Sequence, residues 1–126
     1  MDFKYTIDIT ADPEEVFTAL TNPFQIAIWS GYPAEMKAEE GFVFSLWEGD
    51  ICGVNLEVKQ NRLLVQEWFF GETDQRSIVT IKLKKEGAQT RVELEHTHIP
   101  DEVFEEIVEG WKEFYLGSIK GMLEMY

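Results

Sequence analysis

From Phe104 to Leu123 the apolar residues return at spacings of three and four. Phe104, Ile107, Val108, Trp111, Phe114, Tyr115, Ser118, Ile119, Met122 and Leu123 line up as one stripe, which spans about five helical turns. Glu102, Glu105, Glu106, Glu109, Lys112, Glu113 and Lys120 take the opposite face. Pro100, Asp101 and Glu102 open this segment, and acidic residues suit the positive end of a helix dipole. A helix with one long apolar side needs one broad apolar partner.

The sequence between about residues 34 and 98 supplies that partner as strands. Phe42, Phe44 and Leu46 alternate with Val43, Ser45 and Trp47, and Glu48-Gly49-Asp50 makes a turn. Residues 51–59 read as a strand, Gln60-Asn61-Arg62 as a tight connection, and 63–70 as the most β-prone run. Gly71 to Gln75 reads as a loop. Val79, Ile81 and Leu83 alternate on the next strand, and Glu86-Gly87-Ala88 turns the chain. Val92, Leu94, His96 and His98 then share one parity. Five strands joined by short turns predict an antiparallel meander.

Residues 3–9 add a half-buried strand, with Phe3, Tyr5, Ile7 and Ile9 on one face. Asp12-Pro13-Glu14-Glu15 starts a short helix, with Asp12 as cap and Pro13 in the first position, where no amide hydrogen is needed. Asn22-Pro23 repeats the device for a second short helix that Gly31 and Pro33 end. The expectation is one α+β domain over residues 1–126. A curved antiparallel sheet wraps around the long C-terminal helix, and two short helices follow the first strand.

Charge narrows the function classes. Twenty-four acidic residues against 11 basic ones leave a net charge of −13. Nucleic-acid binding needs a basic footprint, and Lys82, Lys84 and Lys85 are too few to reverse this field. Anionic membrane surfaces are disfavoured for the same reason. The acidity serves solubility, or else a basic partner or a cationic ligand. Cys52 is the only cysteine, so no internal disulfide forms, which fits a reducing cytoplasm. The N-terminus carries no signal-like apolar run, and no stretch is long and apolar enough to span a bilayer.

The stretch Ile9 to Thr21, Gly49 and Gly53 around the first hairpin, and Thr90 to His96 leading to Ile99-Pro100 resemble one known family. Most specific is Gly110-Trp111-Lys112-Glu113-Phe114-Tyr115 followed by Ile119-Lys120. The chain is similar to the activator of heat-shock-protein-90 ATPase homologue family, within the START-related, birch-pollen-allergen-like superfamily. The resemblance covers essentially the whole chain and implies the helix-grip fold. It lies with the C-terminal domain of the family's two-domain cochaperones. It implies an Hsp90-type chaperone as a partner, and superfamily members hold lipids, hormones or polyketides between sheet and helix.

Parity and helical spacing select a set of candidate ligand-binding residues, Phe44, Trp68, Phe70, Ile81, Leu94, His96, Trp111, Phe114, Tyr115 and Ile119, and Trp29 joins them because it flanks the end of the second helix, near where helix-grip folds open. Large apolar side chains with a few polar groups among them suit a pocket for a small hydrophobic molecule. They equally suit a filled core. His96 reads either as a neutral core histidine or as a polar anchor or general base. His96 and His98 form a His-x-His pair, but no third metal ligand is evident, so no metal and no cofactor is expected. Asn55 and Gln66 face either a ligand or water. Gly117 and Gly121 are costly in a helix interior and require a local reason. The leading reading is a non-catalytic cytoplasmic protein that binds a small hydrophobic ligand. A regulator of an Hsp90-type ATPase and a small enzyme using His96 are the alternatives.

Overall fold

The computed structural model describes residues 1–71 and 74–125. Two residues of the loop expected over Gly71 to Gln75 therefore lie outside the described residues. The described chain forms a six-stranded antiparallel sheet in the order β1-β6-β5-β4-β3-β2. Its strands are β1 (Phe3–Ile9), β2 (Val43–Leu46), β3 (Ile51–Lys59), β4 (Leu63–Phe69), β5 (Arg76–Glu86) and β6 (Gln89–Thr97). The meander runs from β2 to β6, and β1 closes the far edge by pairing Phe3 with His96 and Ile9 with Thr90. This is the expected helix-grip, α+β architecture.

Two short helices, α1 (Pro13–Thr21) and α2 (Pro23–Ser30), follow β1. Glu15 reaches back to accept the Asp12 backbone N–H at 3.3 Å. Asn22 Oδ1 accepts the N–H groups of Phe24 and Gln25 at 2.9 and 3.1 Å, which starts α2. Gly31 ends α2 in the left-handed conformation (φ 83°) that glycine adopts without a Cβ penalty. A shift of register between Asn55 and Glu57 bulges β3, and a bulge bends its strand.

The C-terminal segment differs from the expected single helix. It is α3 (Phe104–Glu109), a π-helical turn (Gly110–Tyr115) and α4 (Leu116–Leu123). In an i→i+5 turn each residue advances by less than the usual ~100° about the axis. Trp111, Tyr115, Leu116 and Ile119 thereby all point inward and are buried. Phe114, which regular α spacing assigns to the same stripe, rotates outward and is 59% exposed. Gly117 finds its local reason here: a Cβ would strike the Lys112 carbonyl oxygen at the end of the π turn. No such contact surrounds Gly121.

Inside the sheet, Gly53 of β3 lies opposite Phe44 of β2 and Trp68 of β4. Phe44 and Trp68 are both buried. A Cβ on Gly53 would strike the Glu67 carbonyl oxygen and sit 2.8 Å from Phe44 Cζ. Both contacts are with parts that cannot swing away. Gly53→Ala is expected to destabilise the fold by about 2–3 kcal/mol, lowering the Tm by roughly 10 °C. A thermal melt within a degree or two of the parent would show that the strand accommodates the methyl group.

Candidate functional site

One row across the concave face of the sheet carries polar side chains, against the usual rule for a buried surface. Asn55 of β3 pairs with Gln66 of β4, Gln66 with Val79 of β5, and Val79 with His96 of β6. All four side chains are buried. The polar ones are hydrogen-bonded, as burial requires. Asn55 Nδ2 donates to the carbonyl oxygens of Lys37 at 2.8 Å and Glu39 at 3.2 Å. Gln66 Nε2 donates to Asn55 Oδ1 at 3.1 Å, and Trp68 Nε1 donates to Gln66 Oε1 at 3.0 Å. Asn55 and Gln66 thus fasten the loop before β2 to the sheet. Both are buried from solvent.

His96 sits at the other end of the row and joins sheet to helix. Trp111 Nε1 lies 3.0 Å from His96 Nδ1. An indole N–H only donates, so Nδ1 accepts and the ring proton sits on Nε2. That Nε2–H donates to Ser77 Oγ at 2.7 Å. Both ring nitrogens are occupied in the neutral form, and burial pushes the His96 pKa down to about 4. His98 is exposed, with φ 61°, and its Nδ1 faces Thr97 Oγ1 at 3.3 Å. The two imidazoles do not converge. Among the described residues no group of three or more His, Cys, Asp or Glu side chains is placed to hold a metal.

Around Tyr115 the structure gathers all four tryptophans of the chain. Trp111 lies 4.4 Å from Tyr115 between ring centroids, Trp29 4.8 Å, Trp47 6.1 Å and Trp68 6.4 Å. Trp68 and Trp111 stack at 5.1 Å. Of the eleven candidate residues, Trp29, Trp68, His96, Trp111 and Tyr115 belong to this cluster or touch it. Phe70 borders the hollow beside it. Phe44, Ile81, Leu94 and Ile119 are packed into the core away from that hollow. Phe114 stands outside on the helix.

Alternation along β2 puts Trp47 on the outer face, yet the structure turns it inward. Trp47 and Glu48 adopt left-handed backbone conformations (φ 52° and 56°) immediately after the strand. For a bulky residue that conformation is rare and strained. The Glu48-Gly49-Asp50 turn was the only signal in the sequence that the alternation breaks there. Ser77, the partner of His96, is the other residue that sequence reasoning passes over.

The hollow has a volume of about 350 Å³ and lies between the β3–β4 end of the sheet and the π turn. Trp47, Ile51, Trp68, Phe70, Trp111 and Tyr115 border it, and so do the acidic residues Asp50 and Glu106. A larger hollow of about 690 Å³ opens between α1, α2 and α4. The smaller one stands out chemically. Among the described residues, Tyr115 Oη and Trp47 Nε1 are the buried side-chain polar atoms without a hydrogen-bond partner. Burial also holds the Tyr115 hydroxyl protonated, raising its pKa far above that of an exposed tyrosine.

The buried histidine has a consequence for stability. Unfolded, His96 titrates near 6.5; folded, it titrates near 4. Its depressed pKa leaves full stability above pH 6.5, because the unfolded chain gains no proton there. As pH falls from 6.5 towards 4, the unfolded state binds the proton first and stability drops, by about 3 kcal/mol in total. Urea unfolding between pH 7 and pH 4 should show this slope. His96→Gln, which keeps an acceptor and a donor, should flatten it. An unchanged slope in that variant would assign the pH dependence to other groups.

The comparisons with known proteins agree with this architecture. The family model described as activator of Hsp90 ATPase homolog 1-like protein matches residues 10–124. The chain is 31% identical over 120 residues to an activator of 90 kDa heat shock protein ATPase homolog from Dictyostelium discoideum, covering 93% of this chain and 31% of that protein. It is 24% identical over 110 residues to the human activator homolog 1, covering 86% of this chain and 32% of the human protein. The chain therefore spans about a third of the length of these curated relatives. The crystal structure of an Hsp90 activator from Plasmodium falciparum superposes with a TM-score of 0.91 at 28% identity, covering 98% of this chain and 96% of that one.

Proposed function

Because this chain belongs to the activator-of-Hsp90-ATPase homologue family, we propose that it is a non-catalytic binding module that regulates an Hsp90-type ATPase in the cytoplasm. The observation that carries this reading is the match along nearly its whole length to relatives named as activators of that ATPase. The chemistry of the chain supports a binding role. His96, the buried histidine, has both ring nitrogens engaged in structural hydrogen bonds and is held neutral. The net charge of −13 supports a partner with a basic surface. Among the described residues, no helix is long and apolar enough to cross a membrane.

Calorimetric titration into a purified Hsp90-type ATPase tests the reading. A complex is expected at about 50 mM salt, weakening roughly tenfold by about 300 mM as charges are screened. ATP turnover by the partner should change in the same mixtures. Absence of any complex at low salt would sink the proposal.

A second reading has its own observation: two unpartnered buried polar atoms, Tyr115 Oη and Trp47 Nε1, beside an aromatic-lined hollow. Both can donate a hydrogen bond. They suit a small hydrophobic molecule that presents an acceptor oxygen, while Asp50 and Glu106 disfavour an anionic one. Nile red, a neutral dye with a carbonyl group, is a suitable probe. It should quench the tryptophan cluster saturably. Tyr115→Phe should weaken it about five- to tenfold while leaving the fold as stable or up to about 1 kcal/mol more stable, because an unsatisfied buried hydroxyl is removed. No saturable binding to the parent protein would overturn the pocket, and equal binding by the variant would remove Tyr115 from it.

A further inference from the structure

The most exposed large apolar side chain among the described residues belongs to a helix only eight residues long. Phe24 of α2 is 80% exposed, and Ile28, one turn further along the same face, is 69% exposed. Burial of α2 is complete on its other side, where Ile26 and Trp29 enter the core and Trp29 Nε1 donates to the Ala19 carbonyl at 2.8 Å. The outward pair takes no part in the core. Single exposed apolar residues are ordinary, but a contiguous apolar surface marks an interaction site.

Contiguity comes from α4. Ile28 borders the hollow of about 690 Å³, and Met122 and Leu123 of α4 border it too. Its remaining wall is polar: Asp12, Glu14 and Glu15 at the start of α1 supply carboxylates, and Thr10, Thr18 and Gln25 are uncharged. The lysines nearby are already committed. Lys85 pairs with Asp12 at 3.4 Å, and Lys120 pairs with Glu124 at 2.7 Å while donating to the Asp8 carbonyl. Acidic residues at a helix start are expected from the dipole alone. That does not account for apolar side chains left exposed beside them.

We propose that this groove, floored by Ile28, Met122 and Leu123, flanked by Phe24 and walled by Glu14 and Glu15, is the docking surface for a basic amphipathic segment of the Hsp90-type partner. The inference rests on the regulatory reading above. Apolar side chains of the segment lie along α2 and α4, and its lysines or arginines meet the carboxylates of α1. Shape and charge select the occupant together. An acidic or purely polar segment meets either repulsion or an unmatched apolar floor.

The test uses the full chain, a purified Hsp90-type ATPase and calorimetry at about 50 mM salt. Two variants alter the groove: Ile28→Asp, and Glu14→Lys with Glu15→Lys. Glu105→Lys with Glu109→Lys makes the same charge change on the exposed face of α3 and serves as the control. All the substituted side chains lie at the surface, but Glu15 also caps α1, so Glu14→Lys alone is measured beside the pair, and a folded circular-dichroism spectrum at the binding temperature establishes that each fold is intact. The expected result is affinity reduced about tenfold or more by each groove variant and changed less than about twofold by the control. The doubly charged groove variant should also lose most of its salt dependence. Equal losses in groove and control variants, or none in either, overturn the groove while leaving the regulatory reading in place. No binding by the parent chain overturns both.

Discussion

The hydrogen bond from Trp111 to His96 is the joint on which the two layers of this protein depend. Sheet and helix are held mainly by apolar contact, which is strong but has no direction. The indole donor of Trp111 and the imidazole acceptor of His96 add direction, fixing the rotation of the helix over β6. Ser77 completes the arrangement by accepting the Nε2 proton of the tautomer that the indole donor selects. The neutral state of His96 is part of the same construction: a second ring proton would remove the acceptor and place a charge in a dry interior.

The π turn follows from that joint. A regular helix cannot present Trp111 to His96, Tyr115 to the aromatic cluster, and both Leu116 and Ile119 to the core on one face. An i→i+5 turn reduces the rotation per residue enough to bring all four inward. Gly117 makes room for the Lys112 carbonyl where the turn closes. The strained backbone at Trp47 brings the fourth tryptophan to the same ring cluster. Strain at Trp47 and two unsatisfied buried donors are costs to the folded state that packing alone does not require, and such costs concentrate at functional sites. They fall together beside one hollow.

The surface divides by chemistry in a similar way. The exposed sides of β1, β5 and β6 carry paired charges, among them Lys84 with Glu93 at 2.9 Å and Lys4 with Glu95 at 3.4 Å. Such exposed pairs contribute little to stability and leave that face neutralised. The α1–α2 side instead combines exposed apolar residues with carboxylates at the start of α1. The fold thus offers two distinct places for recognition, one between sheet and helix and one outside on the short helices.

Much of this was legible in the order of residues. Alternation placed β1, β2, β5 and β6, strand-prone runs between turns placed β3 and β4, the paired proline starts placed α1 and α2, and the stripe from Phe104 marked the helix that crosses the sheet. These signals are local: period two, period 3.6, and capping chemistry act within a few residues. Trp68, His96, Trp111 and Tyr115 were selected by the same local rules and Trp29 by its place at the end of α2, and they do come together. The inward turn of Trp47, the outward turn of Phe114 and the pairing of His96 with Ser77 were not legible. Each depends on a departure from regular periodicity, or on a neighbour nineteen residues away across a strand pair. The sequence by itself determined the elements, their faces and the charge they carry. Tertiary structure alone decided the π turn, the tautomer of His96 and the gathering of the tryptophans. Those arise when two surfaces must match in rotation as well as in polarity, and that requirement does not exist until the helix meets the sheet.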